Sequence, residues 1–396
     1  MAFFLITYSI ILVVVILVVF IELVSHKVIF AGNRTIQRFF GHPMLRYSLR
    51  RIGSALISVL LAVIVTFLLI RASIGDPLAF CADKVMGQHK WPPEVLAARC
   101  DSFLRESGLH GNIFEQLGSF LFAILPFPKV ICSTSTISQG ATYYMYVEGC
   151  RPFIMDLGKV YDNFPVTGTM EPAFVIDVIF GKMAVSFPIM LAAVGVSLAL
   201  GYPLGIMMAR HKDGVIDHVG NAYIVSVSAI PGVAYYYIWM ALFVGILHLP
   251  GSYDASNFLS WLPPVLTVGF TGLTGIAFWV RRYMINEFSS DYVKFARAKG
   301  LSEQKIVRTH VLRNAVVPLA RMFPAAVLGS LMGSFFIEQI YTIPGIGGML
   351  MAAASSNEVF AIQGIVIVSA LISVVSYLLG DIATAFADPR VRLMKE

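Results

Sequence analysis

The chain has 396 residues, of which 57% are hydrophobic and 13% charged, and its mean hydropathy is +0.77. A soluble globular domain is about 25% charged and roughly half apolar, so this composition excludes an ordinary soluble enzyme and a disordered chain. The formal net charge is +6. On so apolar a chain, such a charge is typical of the basic cytosolic loops of a membrane protein rather than of a nucleic-acid-binding surface.

Seven segments are long and apolar enough to cross a membrane as a helix, which takes about 20 residues. They predict an all-α fold, a polytopic bundle of membrane helices. Pro231-Gly232 lies in the middle of the fourth segment and predicts a kink there. The segments are 2–24, 52–70, 183–209, 219–247, 259–280, 315–337 and 359–380.

Basic residues are distributed unevenly among the loops. Loop 25–51 has six basic residues and no acidic one, and loop 281–314 has eight basic residues against three acidic ones. Segment 72–182 has eight basic and eleven acidic residues. Because Lys and Arg concentrate on the cytosolic side, we expect both loops and the C-terminus in the cytosol, and the N-terminus and 72–182 outside.

Residues 1–51 are expected to form an N-terminal transmembrane anchor followed by a basic cytosolic linker. A cleaved signal peptide is the alternative for the first apolar segment. That segment is longer than the apolar region of a signal peptide, and the basic cluster follows it rather than preceding it. This asymmetry favours an uncleaved anchor.

The external segment 72–182 contains all four cysteines of the chain, Cys81, Cys100, Cys132 and Cys150. An even number of cysteines confined to an external segment predicts two disulfides. Four cysteines allow three pairings, of which we prefer the two neighbouring pairs, and a zinc site is the alternative. No clear long helix is predicted in this segment.

The stretch 291–318, which connects the fifth and sixth predicted membrane segments, has a helix–turn–helix pattern. A first helix is predicted from Asp291 to Lys299, with Gly300 as its stop. Ser302 is a predicted N-cap for a second helix that runs to about Val316. Small residues in this loop would let another protein approach closely, and a solvated amphipathic linker is the alternative interpretation.

Sequence motifs of catalysis are absent: the chain has no phosphate-binding loop, no H-E-x-x-H and no G-x-S-x-G. The predicted membrane segments are almost free of ionisable residues, so a proton-coupled pump has little support. Glu22 and Glu338 lie near segment ends, where we expect them to be solvated at the interface.

The loop resembles the coupling loop of binding-protein-dependent ABC importer permeases, and more closely that of the B-type permease of oligopeptide and dipeptide importers. The resemblance covers about 50–77 and 180–392, and Lys294-Phe295 departs from it where the family has Glu-Ala. Its further motifs, in family order, are Gly75-Asp76-Pro77, Arg281-Arg282-Tyr283, the segment from Glu338 to Gly347, and Asp388-Pro389-Arg390.

The resemblance implies a six-span permease core with one additional N-terminal span and an external insertion. The first core span would be 52–71, the external cysteine-containing domain 72–182, and the remaining core 183–396 with its coupling loop at 281–318. The protein would be a transport subunit in the bacterial cytoplasmic membrane and not an enzyme.

The partners that the resemblance implies are a second permease forming a heterodimer, two cytosolic ATPases and an external peptide-binding protein. ATP and Mg²⁺ would be bound by the ATPases, with no cofactor on this chain. The residues expected to couple to an ATPase are Asp291, Tyr292, Ala296, Ala298, Gly300, Leu301 and Glu303.

Three alternatives to a peptide permease remain open from the sequence. A related permease for nickel chelates or another small solute would share these motifs. A stand-alone secondary transporter or channel is disfavoured by the coupling loop. A membrane-embedded hydrolase is disfavoured because no nucleophile and base pair can be named.

Overall fold

The computed structural model describes residues 43–76, 79–81, 100–101, 104–105, 107–125, 129–139, 142–153, 155–160, 173–315, 317–356 and 358–387. The predicted anchor segment 2–24 and most of the basic linker lie outside these residues. The chain divides into two compact units. One comprises Ala184–Gly347 with the first helix up to Leu60 and the last helix from Ala370, and the other comprises Leu61–Met183 and Gly348–Ser369.

Helices dominate both units. In chain order they are α1 (Pro43–Ile74), α2 (Ile113–Ile124), α3 (Val175–Arg210), α4 (Val215–Ala229), α5 (Gly232–Met240), α6 (Leu262–Phe288), α7 (Asp291–Ala298), α8 (Glu303–Ile306), α9 (Leu312–Ala315), α10 (Val317–Ala320), α11 (Met322–Gly329), α12 (Phe335–Ile340), α13 (Ile346–Ser355) and α14 (Val359–Ala387). Turns of π-helix, Ala241–Ile246 and Val307–Val311, continue α5 and join α8 to α9. Short 3₁₀ turns occur at Phe258–Ser260 and Ser330–Met332.

Within the described residues, five helical stretches are long and apolar enough to cross a membrane, and the bent pair α4–α5 makes a sixth if it counts as one span. The five are Leu56–Ile74, Val175–Arg210, Phe258–Phe288, Val317–Ile340 and Val359–Asp381. They correspond to predicted segments, so the prediction of a polytopic helical membrane bundle is confirmed.

The fourth predicted segment, 219–247, is not a single kinked helix. Its two halves, α4 and α5, are bent by 112° at Ile230-Pro231. Ile230 takes an extended backbone conformation, as a residue before proline is biased to do. Hydrogen bonds of the Tyr223 hydroxyl stabilise the bend between α4 and α5. This hydroxyl lies 2.8 Å from that of Tyr235 and donates to the carbonyl of Phe270 at 3.0 Å.

Glycines let α3 and α6 approach closely. A Cβ on Gly201 would lie 2.8 Å from the carbonyl oxygen of Leu273, and one on Gly205 would lie 2.7 Å from that of Ala277. The spacing of these two glycines is the small-residue pattern of close helix packing in membranes. Substituting either glycine would force the two helices apart.

Segment 72–182, which is expected to be external, has more regular structure than its sequence indicated. Helix α2 begins with a capping box, in which the Asn112 side chain accepts from the amides of Phe114 and Glu115 while Glu115 accepts from the Asn112 amide. An antiparallel hairpin follows, formed by β1 (Lys129–Gln139) and β2 (Thr142–Phe153). Strands β3 (Lys159–Val160) and β4 (Ala173–Phe174) form a second, short pair. The insertion is therefore of mixed α and β structure.

Cys81 and Cys100 form a disulfide, with Cα atoms 5.7 Å apart and a sequence separation of 19 residues. In the hairpin, Cys132 lies directly opposite Cys150 in the antiparallel register. Directly opposed Cα atoms in such a pair are about 4.5–5.5 Å apart, which is within the range that a disulfide bridges. The backbone thus favours the two neighbouring pairings.

We predict that peptide mapping of the non-reduced protein by mass spectrometry will recover Cys81 joined to Cys100 and Cys132 joined to Cys150. Each closed loop should stabilise the segment by roughly 3 kcal/mol in the chain-entropy description. Free thiols at these positions, crossed pairs, or stoichiometric zinc would contradict the assignment.

Candidate functional site

The loop that follows α6 is a short helix, a sharp elbow and a second helix. Helix α7 ends in a Schellman motif, in which the amide of Gly300 donates to the carbonyl of Arg297 at 2.9 Å and the amide of Leu301 donates to that of Ala296 at 3.3 Å. Gly300 has φ of +76°, the left-handed region that glycine tolerates best. The chain can therefore turn within two residues and start α8 at Glu303.

A small hydrophobic core fixes this loop to the ends of two long helices. Val293, Ala296 and Ile306 are at most 5% exposed. They pack with Met284 from α6 and Ala209 from α3. Full burial of a Val or Ile side chain contributes about 1.5–3 kcal/mol, so the loop is an integral part of the helix bundle and not a solvated linker.

The opposite face of α7 is exposed. The side chain of Phe295 is 69% exposed, and Lys294 and Ala298 are also exposed. Lys294 donates to the carboxylate of Asp291 at 2.8 Å, and this ion pair lowers the pKa of Asp291. The exposed face therefore presents one large aromatic ring beside a small residue and a neutralised charge pair.

An ion pair spans the elbow. The guanidinium of Arg297 donates to both carboxylate oxygens of Glu303, at 2.6 and 3.3 Å. The bond from Arg297 lowers the pKa of Glu303, so its contribution is present at neutral pH and is lost as the pH falls through that lowered pKa. Ser302 occupies the N-cap position as predicted, but its side chain makes no capping hydrogen bond.

Tyr292 is a bridging residue and not a freely exposed one. Its hydroxyl donates to the carboxylate of Glu287 at the end of α6 and accepts from the amide nitrogen of Asn314 at 3.1 Å. Burial, followed by the bond to Glu287, raises the pKa of Tyr292, so the phenol stays protonated at neutral pH. This residue ties α7 to both of the helices that flank it.

The seven residues predicted to couple therefore have different positions. Asp291, Ala298, Gly300 and Glu303 are exposed, whereas Tyr292 bridges and Leu301 packs against the core. Ala296 is 5% exposed and faces the interior of the chain, so the expectation that it leaves room for another protein is wrong. Phe295 has the exposed position that the sequence interpretation overlooked.

A buried ion pair links the same region to α4. Arg281 donates to both carboxylate oxygens of Asp217, at 2.5 and 2.7 Å. Asp217 is 2% exposed and also accepts from Asn221 and from the amide of Asp213. Removing Arg281 would leave a buried carboxylate without its charge partner, which is destabilising. The sequence analysis counted Arg281 among the basic loop residues and in a family motif, but it did not pair Arg281 with Asp217, which is 64 residues away.

A second buried carboxylate lies at the opposite end of α6. Glu338 is 1% exposed, so the prediction that it is solvated at the interface is wrong. It accepts from the hydroxyl of Ser186 at 2.7 Å and from the amide of Gly347 at 2.6 Å. The Ser186 hydroxyl also accepts from the amide of Ile346 at 3.0 Å.

Glycines surround Glu338 because the space next to its carboxylate is too small for a side chain. A Cβ on Gly333, Gly345 or Gly347 would lie 3.0 Å or less from a carboxylate oxygen of Glu338. Gly333 has φ of +64° at the point where the sixth predicted segment is interrupted. The segment Glu338 to Gly347 is therefore a turn folded around one carboxylate.

Both halves of the broken pair contact α6. In α4, Asp217 pairs with Arg281 and the hydroxyl of Tyr223 donates to the carbonyl of Phe270. In α5, the centroid of the Trp239 ring lies 4.6 Å from that of Phe270. The described residues therefore contain five candidate crossings, or six if this pair is one span.

Comparisons with known proteins identify the family. Residues 201–393 match the family described as "Binding-protein-dependent transport system inner membrane component". The match covers just under half of the chain. The prediction that the chain resembles ABC importer permeases is thereby confirmed.

Two relatives of the chain are named as permease proteins of peptide transport systems. Over 201 residues the chain is 38% identical to the oligopeptide transport system permease protein AmiC of Streptococcus pneumoniae, a match that covers 50% of this chain and 40% of that protein. It is 27% identical over 351 residues to the dipeptide transport system permease protein DppB of Lactococcus lactis subsp. cremoris, covering 88% of this chain and 100% of that one. The chain thus spans less than half the length of AmiC and all of DppB.

One solved structure, entitled "Inward facing conformations of the MetNI methionine ABC transporter", resembles the fold. Its TM-score is 0.43 at 15% identity, and the match covers 54% of this chain and 97% of that one. Among the residues that the structure describes, no group of three or more His, Cys, Asp or Glu side chains is arranged to hold a metal ion.

The Glu338 cluster can be tested by comparing two serines of α3. Ser186→Ala removes a donor to a buried carboxylate and leaves the Ile346 amide without its acceptor, which should cost about 1–3 kcal/mol. Ser197→Ala is the matched control, since its hydroxyl bonds only to carbonyls, at 2.9 and 3.0 Å. Thermal unfolding in detergent should show a lower midpoint for Ser186→Ala than for Ser197→Ala. Equal midpoints would mean that Glu338 does not depend on Ser186.

Proposed function

We propose that this chain is a transmembrane permease subunit of an ATP-driven importer of oligopeptides or dipeptides. It would form the translocation pathway together with a second permease. The single observation that carries the proposal is the exposed face of α7, which is held by a hydrophobic core on the ends of α3 and α6. Similarity to peptide permeases supports the choice of cargo.

The geometry suits a mechanical coupling element. A partner that binds Phe295 and Ala298 would displace α7 when it moves. Helix α7 is packed through Val293 and Ala296 against α6 and α3. Asp217 and Arg281 extend the connection to α4. Displacement of the loop would thus be transmitted to three membrane helices together.

The proposed partners are two cytosolic ATPases, each of which binds ATP and Mg²⁺ and docks on one permease loop. An external peptide-binding protein would deliver the cargo to the opposite side. The proposed location is the bacterial cytoplasmic membrane, with the N-terminus and 72–182 outside and the loop and C-terminus in the cytosol. The basic residues of 281–314 support this orientation of the loop.

The elbow predicts the outcome of two substitutions at Gly300. Nothing lies within 4 Å of a Cβ placed on Gly300, so a side chain there meets no neighbour and its cost comes from the positive φ. Gly300→Val should cost about 1–2 kcal/mol and misdirect α8, reducing peptide uptake and peptide-stimulated ATP hydrolysis by about tenfold. Gly300→Asn is the matched control, because asparagine tolerates this conformation, and it should retain most of both activities.

Ser302→Ala should have almost no effect, since the Ser302 side chain makes no capping bond. All variants should insert in the membrane at parental levels. If Gly300→Val is inserted normally and transports peptide like the parent, the loop is a passive linker and the coupling proposal fails.

A further inference from the structure

Helix α2 lies against the part of α1 that is expected to be in the membrane. The rings of Phe67 and Phe120 are stacked, with centroids 5.3 Å apart. Phe67 belongs to the candidate span Leu56–Ile74 and lies about two turns, or about 10 Å, before its end. The middle of α2 therefore lies beside a part of α1 that is long and apolar enough to be in the membrane.

The outer surface of α2 suits a lipid environment. Phe114 is 67% exposed and Phe122 is 61% exposed. Glu115 is the one charged residue of the helix, and its carboxylate is used in the capping box at the first turn. A helix with aromatic residues on its exposed surface is typical of segments that lie in the membrane interface.

A cavity of about 150 Å³ lies between α1 and α2. Most of its wall is apolar, and the residues nearest the stacked rings include Phe67, Ile70 and Phe120. Arg71, Arg105 and Asp156 also line it. The cavity thus combines an apolar wall with charged groups at the level where a membrane helix ends.

Arg71 has an unused hydrogen-bond donor at this cavity. Its Nη1 donates to the carbonyl of Gly75 at 2.8 Å, whereas its Nε is buried and has no hydrogen-bond partner. Arg105 is paired with Asp101 at 2.9 Å, but both side chains are more than half exposed, so this pair is easily exchanged for another anion. One oxygen of Asp156 accepts from the amide of Gly158 at 2.9 Å.

We propose that this cavity binds a phospholipid of the leaflet in which α2 lies. Its phosphate would accept from Arg71 and Arg105, and one acyl chain would lie along Phe67, Ile70 and Phe120. Arginine forks match phosphate oxygens well. Asp156 would face the amine or hydroxyl groups of the lipid head group. The inference does not depend on the transported cargo.

Photo-crosslinking in nanodiscs tests this proposal. The purified permease complex is reconstituted in phosphatidylcholine with a small fraction of photoactivatable phosphatidylglycerol or, separately, phosphatidylethanolamine. Adducts are then mapped by mass spectrometry. Labelling of 107–125 is measured relative to labelling around Tyr377, which is 64% exposed on α14 and reports general lipid contact.

Two variants and one control separate binding from folding. Arg71→Gln removes the charge, and Ala123→Trp fills the cavity that Ala123 lines. Gly118→Trp adds the same bulk on α2 at an exposed glycine outside the cavity lining. We expect relative labelling to fall at least fivefold in both variants and to stay at the parental level in the control.

Competition with other possible occupants of the cavity tests whether the crosslinked ligand is a lipid. Free inorganic phosphate or a tripeptide, added in excess, should not reduce the labelling, and displacement by the tripeptide would assign the cavity to cargo instead of lipid. Equal relative labelling of the parent, Arg71→Gln and Ala123→Trp would overturn the proposal.

Discussion

Burial of Val293, Ala296 and Ile306 against Met284 and Ala209 is the interaction on which the proposed mechanism depends. A helix of eight residues such as α7 is marginal in water. It is stable here because two of its side chains are buried in the same small core as the ends of α3 and α6. The elbow at Gly300 then orients α8 so that Ile306 completes that core from the other side. Force applied to the exposed face of α7 would therefore reach the membrane helices directly.

Two buried carboxylates stabilise opposite ends of the bundle. Asp217 is neutralised by Arg281 and holds α4 against α6, whereas Glu338 is held by the Ser186 hydroxyl and by backbone amides. The first arrangement depends on a charge partner. The second depends on close backbone approach, which explains why glycines surround it. Because a buried carboxylate that loses its partners is destabilising, each carboxylate favours one geometry at its end of the bundle.

The helical bundle, the elbow and the family could be predicted from the sequence because each depends on local signals. Span length and apolarity, glycine at a helix stop and the order of motifs are all visible in a single chain. The position of Ala296 was mistaken because the inward face of α7 is decided by residues of α3 and α6, which are distant in sequence. For the same reason Glu338 looked like an interfacial acid, although Ser186 is 152 residues away. Helix α2 was not predicted, although its polar residues Glu115, Gln116 and Ser119 recur at helical spacing.

Photo-crosslinking from α7 tests the central claim most directly. Benzoylphenylalanine placed at Phe295, an exposed aromatic position, should form an adduct with a cytosolic ATPase in the purified complex, and ATP should change its yield. The same probe at Phe258, which is 72% exposed at the opposite end of α6, should form none. An ATPase adduct from Phe258, or none from Phe295 in a complex that hydrolyses ATP, would contradict the account.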